Sequence, residues 1–181
     1  MKFKSFQLPG VKLVVPDIHH DSRGYFFESY RCDKFFDEEL SMNFIQDNEV
    51  YSSKNVLRGL HYQLNNPQGK LIRCIRGTIL DVAVDIRVDS PTFGKWLSFQ
   101  LSDKNKNILY VPEGFAHGYL VKSKNSIVSY KCTNFHDKND EYGIRWDDSD
   151  LKINWGCTKP IVSDRDRNMP LLKNQKFLPK Y

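Results

Sequence analysis

The stretch Leu80-Asp81-Val82-Ala83-Val84-Asp85-Ile86-Arg87 decides how the chain folds. Leu80, Val82, Val84 and Ile86 share one face at period two, and Asp81, Ala83, Asp85 and Arg87 share the other, which is the spacing of a β-strand. The pattern recurs downstream. Leu97, Phe99 and Leu101 alternate with Ser98, Gln100 and Ser102, and residues 127–135 are rich in branched and aromatic side chains. Turn-forming sequences separate these runs at Arg76-Gly77, at Ser90-Pro91 with Gly94, at residues 103–107 and at Pro112-Glu113-Gly114. One stretch reads as a helix, with Asp33 as its cap, Phe35, Phe36 and Leu40 on an apolar stripe, and Glu38 and Glu39 on the wet side. From about Asp147 onward, polar turns mixed with Trp155, Pro160 and Pro170 predict a tail that wraps the body as irregular segments. Many short strands spaced by roughly 8–12 residues predict an all-β sandwich or jelly-roll barrel with a few short helices.

The length of 181 residues fits one domain, residues 1–181, and 40% hydrophobic with 13% aromatic residues is enough to build a core, which excludes a disordered chain. No apolar run approaches the roughly 18–20 residues of a membrane span. The opening residues 1–15 lack the uninterrupted apolar stretch of a secretory signal, so a soluble cytoplasmic protein is expected. The net charge of +5, from 27 basic and 22 acidic residues, suits an anionic ligand but is too mild and dispersed to demand nucleic acid. Lys104, Lys106, Lys122 and Lys124 sit among Asn and Ser and read as solvated loop charges. Cys32, Cys74, Cys132 and Cys157 lack the close pairing of a redox motif or a zinc ribbon. Cys74 and Cys132, inside strand-like segments, read as buried free thiols.

Period two alone leaves Asp81 and Asp85 open between a solvent-facing stripe and the interior of a barrel. Their company raises the second reading. Arg58-Gly59-Leu60-His61-Tyr62-Gln63, Gln68-Gly69-Lys70 and Pro112-Glu113-Gly114-Phe115-Ala116-His117-Gly118 each bring a basic or imidazole group to a strand edge or tight turn.

These blocks continue a longer series. Asp21-Ser22-Arg23-Gly24-Tyr25-Phe26-Phe27-Glu28-Ser29, residues 44–48, Asp81 to Asp85, residues 90–94, Tyr130-Lys131-Cys132-Thr133, residues 144–148 and Ser163-Asp164-Arg165-Asp166 follow in order. With them the sequence closely resembles the dTDP-4-dehydrorhamnose 3,5-epimerases, cupin-type jelly rolls that act on nucleotide-linked 4-keto-6-deoxy sugars. The resemblance runs from about residue 10 to residue 172. It implies no metal and no cofactor: many cupins bind a metal through a His-x-His pair, but here Tyr62 and Gln63 follow His61, and His117 has no partners to complete a site.

The resemblance implies roles position by position. His61 matches the general base, Asp166 its carboxylate partner, Tyr130 the acid on the opposite face, and Lys70 the cation near the developing O4 charge. Taken singly, Tyr130 reads equally as core, Lys70 as a surface turn lysine and Asp166 as a tail cap. His117 with Asp81 resembles a second pair that lines the pocket. Arg23, Glu28, Gln46, Asp47, Asn48, Arg58, Glu141 and Arg165 fall in the blocks that contact the nucleotide and its diphosphate, where arginine's planar fork suits phosphate oxygens. The family commonly carries two tyrosines after the Tyr-Lys-x-Thr-Asn motif, the second stacking on thymine. Phe135 and His136 stand there in this sequence. The resemblance also implies a homodimer in which residues 23–29 reach the neighbouring subunit's pocket. The readings that compete are an epimerase acting at C3 only, a sugar-nucleotide ketoisomerase, and a basic β-barrel that binds nucleotide or nucleic acid without chemistry.

Overall fold

A computed structural model describes residues 1–38, 40 and 43–181. Its elements, in chain order, are β1 (Lys2–Ser5), β2 (Lys12–Val15), β3 (His19–Asp21), β4 (Gly24–Phe26), the short helix α1 (Cys32–Phe36), β5 (Gln46–Ser53), β6 (Leu57–Gln63) and β7 (Lys70–Arg76). After these come β8 (Thr78–Asp85), β9 (Trp96–Ser102), β10 (Ile108–Val111), β11 (Phe115–Val121), β12 (Asn125–Cys132), β13 (Glu141–Gly143), the helix α2 (Asp164–Arg167) and a 3-10 turn, Leu172–Asn174.

The strands form a six-stranded sheet in the order β1-β2-β10-β7-β12-β5 and a five-stranded sheet in the order β13-β6-β11-β8-β9. Every pairing within them is antiparallel. A separate hairpin pairs β3 with β4. The predicted all-β fold is therefore observed, as two facing sheets. Among the described residues no strand pairing closes them into a continuous barrel.

The two inner faces meet in one core. Leu13, Ile72, Leu109, Val111 and Val128 come from the larger sheet, and Ile79, Ala83, Leu101, Phe115 and Val121 from the smaller. The decisive stretch forms β8, between β9 and β11. Its two faces are both covered. Ala83 and Ile79 point into the core between the sheets. Val82, Val84 and Ile86 pack outward under Leu151, Trp155, Val162 and Leu172 of the tail. Asp81 and Asp85 share the inner face with Ala83 and are both fully buried, and the tail covers the opposite face, so β8 has no solvent-facing stripe. Asp85 is locked by Arg87, Ser90 and Thr92, whose bonds overcome burial's upward push and hold its carboxyl at about 2. Cys74 and Cys132 are buried free thiols, as expected, and burial raises the Cys74 thiol to about 11.

The helix differs from its expected form. It spans five residues, Arg31 caps it, and Asp33 lies in its first turn, where it accepts the Arg31 guanidinium. Phe35 and Leu40 are buried against the outer face of the larger sheet, but Phe36 is 66% exposed. A helix this short offers one inward position, and Phe36 follows Phe35 by about 100° of rotation. Glu39 lies outside the described residues. Two of the four loop lysines are engaged. The Lys106 ammonium bonds the Tyr25 hydroxyl at 2.7 Å, and that of Lys122 bonds the backbone oxygens of Trp155 and Gly156.

Candidate active site

A cavity of about 310 Å³ opens between the sheets. Strand alternation supplies its walls. On β5, Gln46, Asn48 and Val50 point in; on β12, Tyr130 and Cys132; on β7, Lys70. The facing sheet contributes His61, Arg58 and Gln63 from β6, His117 and Tyr119 from β11, and Glu141 from β13. His136 lies on the loop that follows β12.

His61 and His117 are register partners across β6 and β11. The two strands come this close because of a glycine pair. A Cβ on Gly59, whose φ is +116°, would stand 2.6 Å from the Gly118 Cα and 2.7 Å from the His117 carbonyl oxygen. The Gly59 amide also has a partner to hold, since it donates to Asp166 Oδ2 at 3.1 Å. The other oxygen of Asp166 lies 2.8 Å from His61 Nε2. Asp166 is brought there by α2, whose Ser163 cap accepts from the Asp166 amide at 3.0 Å. Burial would raise the Asp166 carboxyl, but His61, Gly59 and Ser163 outweigh it and hold it below the ordinary carboxylate value. The carboxylate therefore keeps Nε2 of His61 as the proton-bearing nitrogen and leaves Nδ1 on the side of Glu141, 3.7 Å from its Oε1.

Lys70 is nearly fully buried, and burial lowers its ammonium below the ordinary lysine value, opposed by the charges of Cys132, Glu141 and Glu113. Among the described residues no carboxylate stands within ion-pair distance of it. Its turn is held from below: the Gly69 amide donates to Thr133 Oγ1 at 2.8 Å, and that hydroxyl donates to Glu113 Oε1 at 2.5 Å. Burial first, then the neighbouring Cys132 and Tyr119, push the Tyr130 phenol up to about 12, so it stays protonated near neutrality. His117 Nε2 lies 2.7 Å from Asp81 Oδ1, and burial raises the Asp81 carboxyl against the pull of that imidazole. The cavity thus offers an imidazole backed by a carboxylate on one sheet, and a phenol with a buried ammonium on the other. That arrangement can remove a proton from one face of a bound carbon acid and return one from the other.

Most of the candidate residues converge here: His61, Lys70, Tyr130, Gln46, Asn48, Arg58, His117, His136 and Glu141 line the cavity, and Asp166 stands behind His61. Arg165 sits at the rim, where its guanidinium bonds the Glu141 carboxylate and, at 3.0 Å, the Glu141 carbonyl. Three do not converge within the chain. Asp47 points to the opposite face of β5 and pairs with Lys131 at 2.8 Å, because adjacent strand residues face opposite ways. Arg23 lies on the exposed β3–β4 hairpin and bonds Asp21, and Glu28 pairs with Arg31. Gln63 and Gln68 were not singled out from the sequence as site residues. Gln63 accepts from the Asp137 amide at 2.9 Å and donates to the Phe135 carbonyl, and Gln68 donates to the Asn134 carbonyl, so together they fasten the loop that carries His136. Their place inside the quoted blocks was the available signal.

A family profile described as dTDP-4-dehydrorhamnose 3,5-epimerase matches residues 5–174. The chain belongs to the dTDP-4-dehydrorhamnose 3,5-epimerase family. A family member from Methanothermobacter thermautotrophicus is 45% identical over 181 residues, covering 98% of each chain. The dTDP-6-deoxy-D-glucose-3,5-epimerase of Legionella pneumophila, solved with dTDP-4-keto-L-rhamnose, superposes with a TM-score of 0.96 at 38% identity, covering 99% of this chain and 98% of that one. A 3'-monoepimerase from Streptomyces bikiniensis, ChmJ, solved with dTDP-quinovose, gives 0.92 at 32% identity, covering 97% and 92%. The epimerase family is cupin-type, in keeping with the two facing sheets seen here. Among the described residues no group of three His, Cys, Asp or Glu side chains is arranged to hold a metal ion, and no helix is long and apolar enough to cross a membrane.

Proposed function

We propose that the protein epimerises C3 and C5 of dTDP-4-keto-6-deoxy-D-glucose to give dTDP-4-keto-L-rhamnose, a precursor of L-rhamnose. The observation that carries this reading is the placement of His61 and Tyr130 on opposite sheets of one cavity, with Lys70 beside Tyr130's sheet neighbours. The C4 ketone acidifies the hydrogens on C3 and C5, because the carbanion delocalises onto O4. His61 Nδ1 takes the proton, and Asp166 stabilises the imidazolium as it forms. The Lys70 ammonium meets the charge on O4, where burial makes its field stronger than it would be in water. Tyr130 returns a proton to the opposite face, which inverts the carbon. No step requires a metal or a cofactor. Arg58, His117, Gln46, Asn48, Glu141, His136 and Arg165 bind the nucleotide sugar.

Residues 1–181 form one such unit, which works in the cytoplasm as a homodimer, without nucleic acid or membrane as partner. The β3–β4 hairpin supports the dimer: it exposes Tyr25 and Phe26 at 54% and 67% and carries Arg23 and leads to Glu28 outside the cavity of its own chain. In the partner's cavity both would meet the substrate. A second reading, inversion at C3 alone, is favoured by the likeness to the 3'-monoepimerase, which shares the fold.

Proton NMR of dTDP-4-keto-6-deoxyglucose with the enzyme in D2O separates the readings. Loss of both the C3 and C5 signals with formation of the L-lyxo sugar is the expected result. Exchange at C3 alone would assign the second reading, and exchange at neither carbon would remove the proposed substrate.

A further inference from the structure

Each inversion leaves the base loaded with a proton and the acid short of one. An enzyme that inverts two carbons of one bound sugar has to empty His61 and refill Tyr130 between them. A sugar seated in the cavity would displace water from His61 Nδ1, which favours a path through protein groups. Glu141 lies at the start of one. Its Oε1 is 3.7 Å from His61 Nδ1, and its Oε2 is 3.8 Å from His136 Nε2. Side-chain exposure runs from 29% at His61 through 14% at Glu141 to 41% at His136, so the series leads from the reacting nitrogen, through a half-buried carboxylate, to the cavity mouth.

On the proposed epimerase reading, we propose that Glu141 and His136 form a proton exit for His61. The proton taken from carbon arrives on Nδ1 and passes to Oε1 of Glu141. Once protonated, the neutral carboxyl loosens from Arg165, turns and gives the proton to His136 Nε2, and His136 releases a proton to solvent; Tyr130 regains its own from solvent, so the protons balance over the cycle. An imidazole, with an ordinary pKa of roughly 6.5, exchanges protons with water readily near neutrality. The tyrosine common in the family at this position, ordinarily titrating at roughly 10, does not.

The surroundings keep the relay aligned. The His136 amide donates to Gln46 Oε1 at 2.8 Å, which fixes the backbone beneath the ring. Arg165 bonds the Glu141 carboxylate and holds it between the two imidazoles. The other charged or titratable groups whose fields reach Glu141 are Lys70 and Tyr130.

The test is His136→Phe, which keeps an aromatic ring at the mouth but carries no proton. In dilute HEPES and at saturating substrate, kcat for both inversions is expected to fall about 10²-fold, the low end of what a positioned proton-transfer group contributes. Added imidazole is expected to restore kcat in a saturable way, and Glu141→Gln to reproduce the loss. Unchanged kcat in His136→Phe, or a loss that imidazole leaves untouched, would overturn the relay while leaving the epimerase intact. No turnover by the unaltered chain would overturn both. Should His136→Phe fail to fold, His136→Gln gives the same reading.

Discussion

At the scale of single residues, two side chains that face each other across the cavity make different demands on the same reaction. His61 starts the exchange and Tyr130 completes the inversion, so their variants separate the two events. His61→Asn is expected to lose both deuterium exchange and inversion by about 10²–10⁴-fold. Tyr130→Phe keeps the ring and the base, so exchange at C5 persists while inversion falls by a similar factor; NMR in D2O reads both at once. Equal loss of exchange in the two variants would deny Tyr130 its role. Lys70 sets the alkaline limit. Burial holds its ammonium below the ordinary value of roughly 10.4, whereas Tyr130 keeps its proton to about 12. The rate should therefore fall on the alkaline side as Lys70, not Tyr130, loses its proton, and Lys70→Arg should move that fall upward while lowering kcat. Asp166 adds a stability term of known sign. Its carboxyl is held lower in the folded chain than in the unfolded one, so the stability it contributes is present above roughly pH 3.9 and is lost as pH falls through the lower folded value. Asp166→Asn should lower the urea midpoint at pH 7, with the difference from the parent shrinking below about pH 4.

At the scale of elements, the site depends on how closely two strands approach. Gly59→Ala would drive a Cβ against the Gly118 backbone at 2.6 Å in a backbone conformation that L side chains avoid. A loss of about 3 kcal/mol in urea unfolding is expected from the strained φ and the overpacking together. A stable Gly59→Ala protein would show that β6 and β11 can part without cost. Strands were the legible part of this molecule. The alternations at 80–87 and 96–102 became β8 and β9 because each strand has two chemically distinct faces. Which face was covered was not legible, since the cover on β8 comes from Leu151, Trp155 and Leu172, far along the chain and without periodicity. Phe36 looked like core because it follows Phe35 in an apolar pair, and only the brevity of α1 exposes it. Asp47 was readable from the sequence alone: Gln46, Asp47 and Asn48 on one strand cannot all face one cavity.

At the scale of the whole molecule, Arg23 and Glu28 lie outside the candidate cavity of their own chain, and no property of one sequence says where a hairpin lands on a second copy. The hairpin exposes Tyr25 and Phe26 on its own subunit, and the cavity lacks Arg23, which the family resemblance assigns to it. Both are explained at once if each hairpin completes the neighbour's cavity, and a mixing experiment tests this without relying on loss of activity. A chain carrying Arg23→Ala and a chain carrying His61→Asn are each inactive or nearly so as homodimers, because every cavity lacks one group. In a mixed dimer, the cavity with intact His61 receives intact Arg23 from its partner, and the other cavity lacks both. Random pairing of equal amounts makes half of the dimers mixed, so about one quarter of the cavities become complete and turnover should rise towards that fraction of the parent's. If each hairpin instead served its own chain, no pairing could bring His61 and Arg23 together, and the mixture would stay at the average of its parts. Light scattering on the same mixture, with Tyr25→Ser and Phe26→Ser introduced together, should show the dimer giving way to single chains of 21.2 kDa as that recovered turnover disappears.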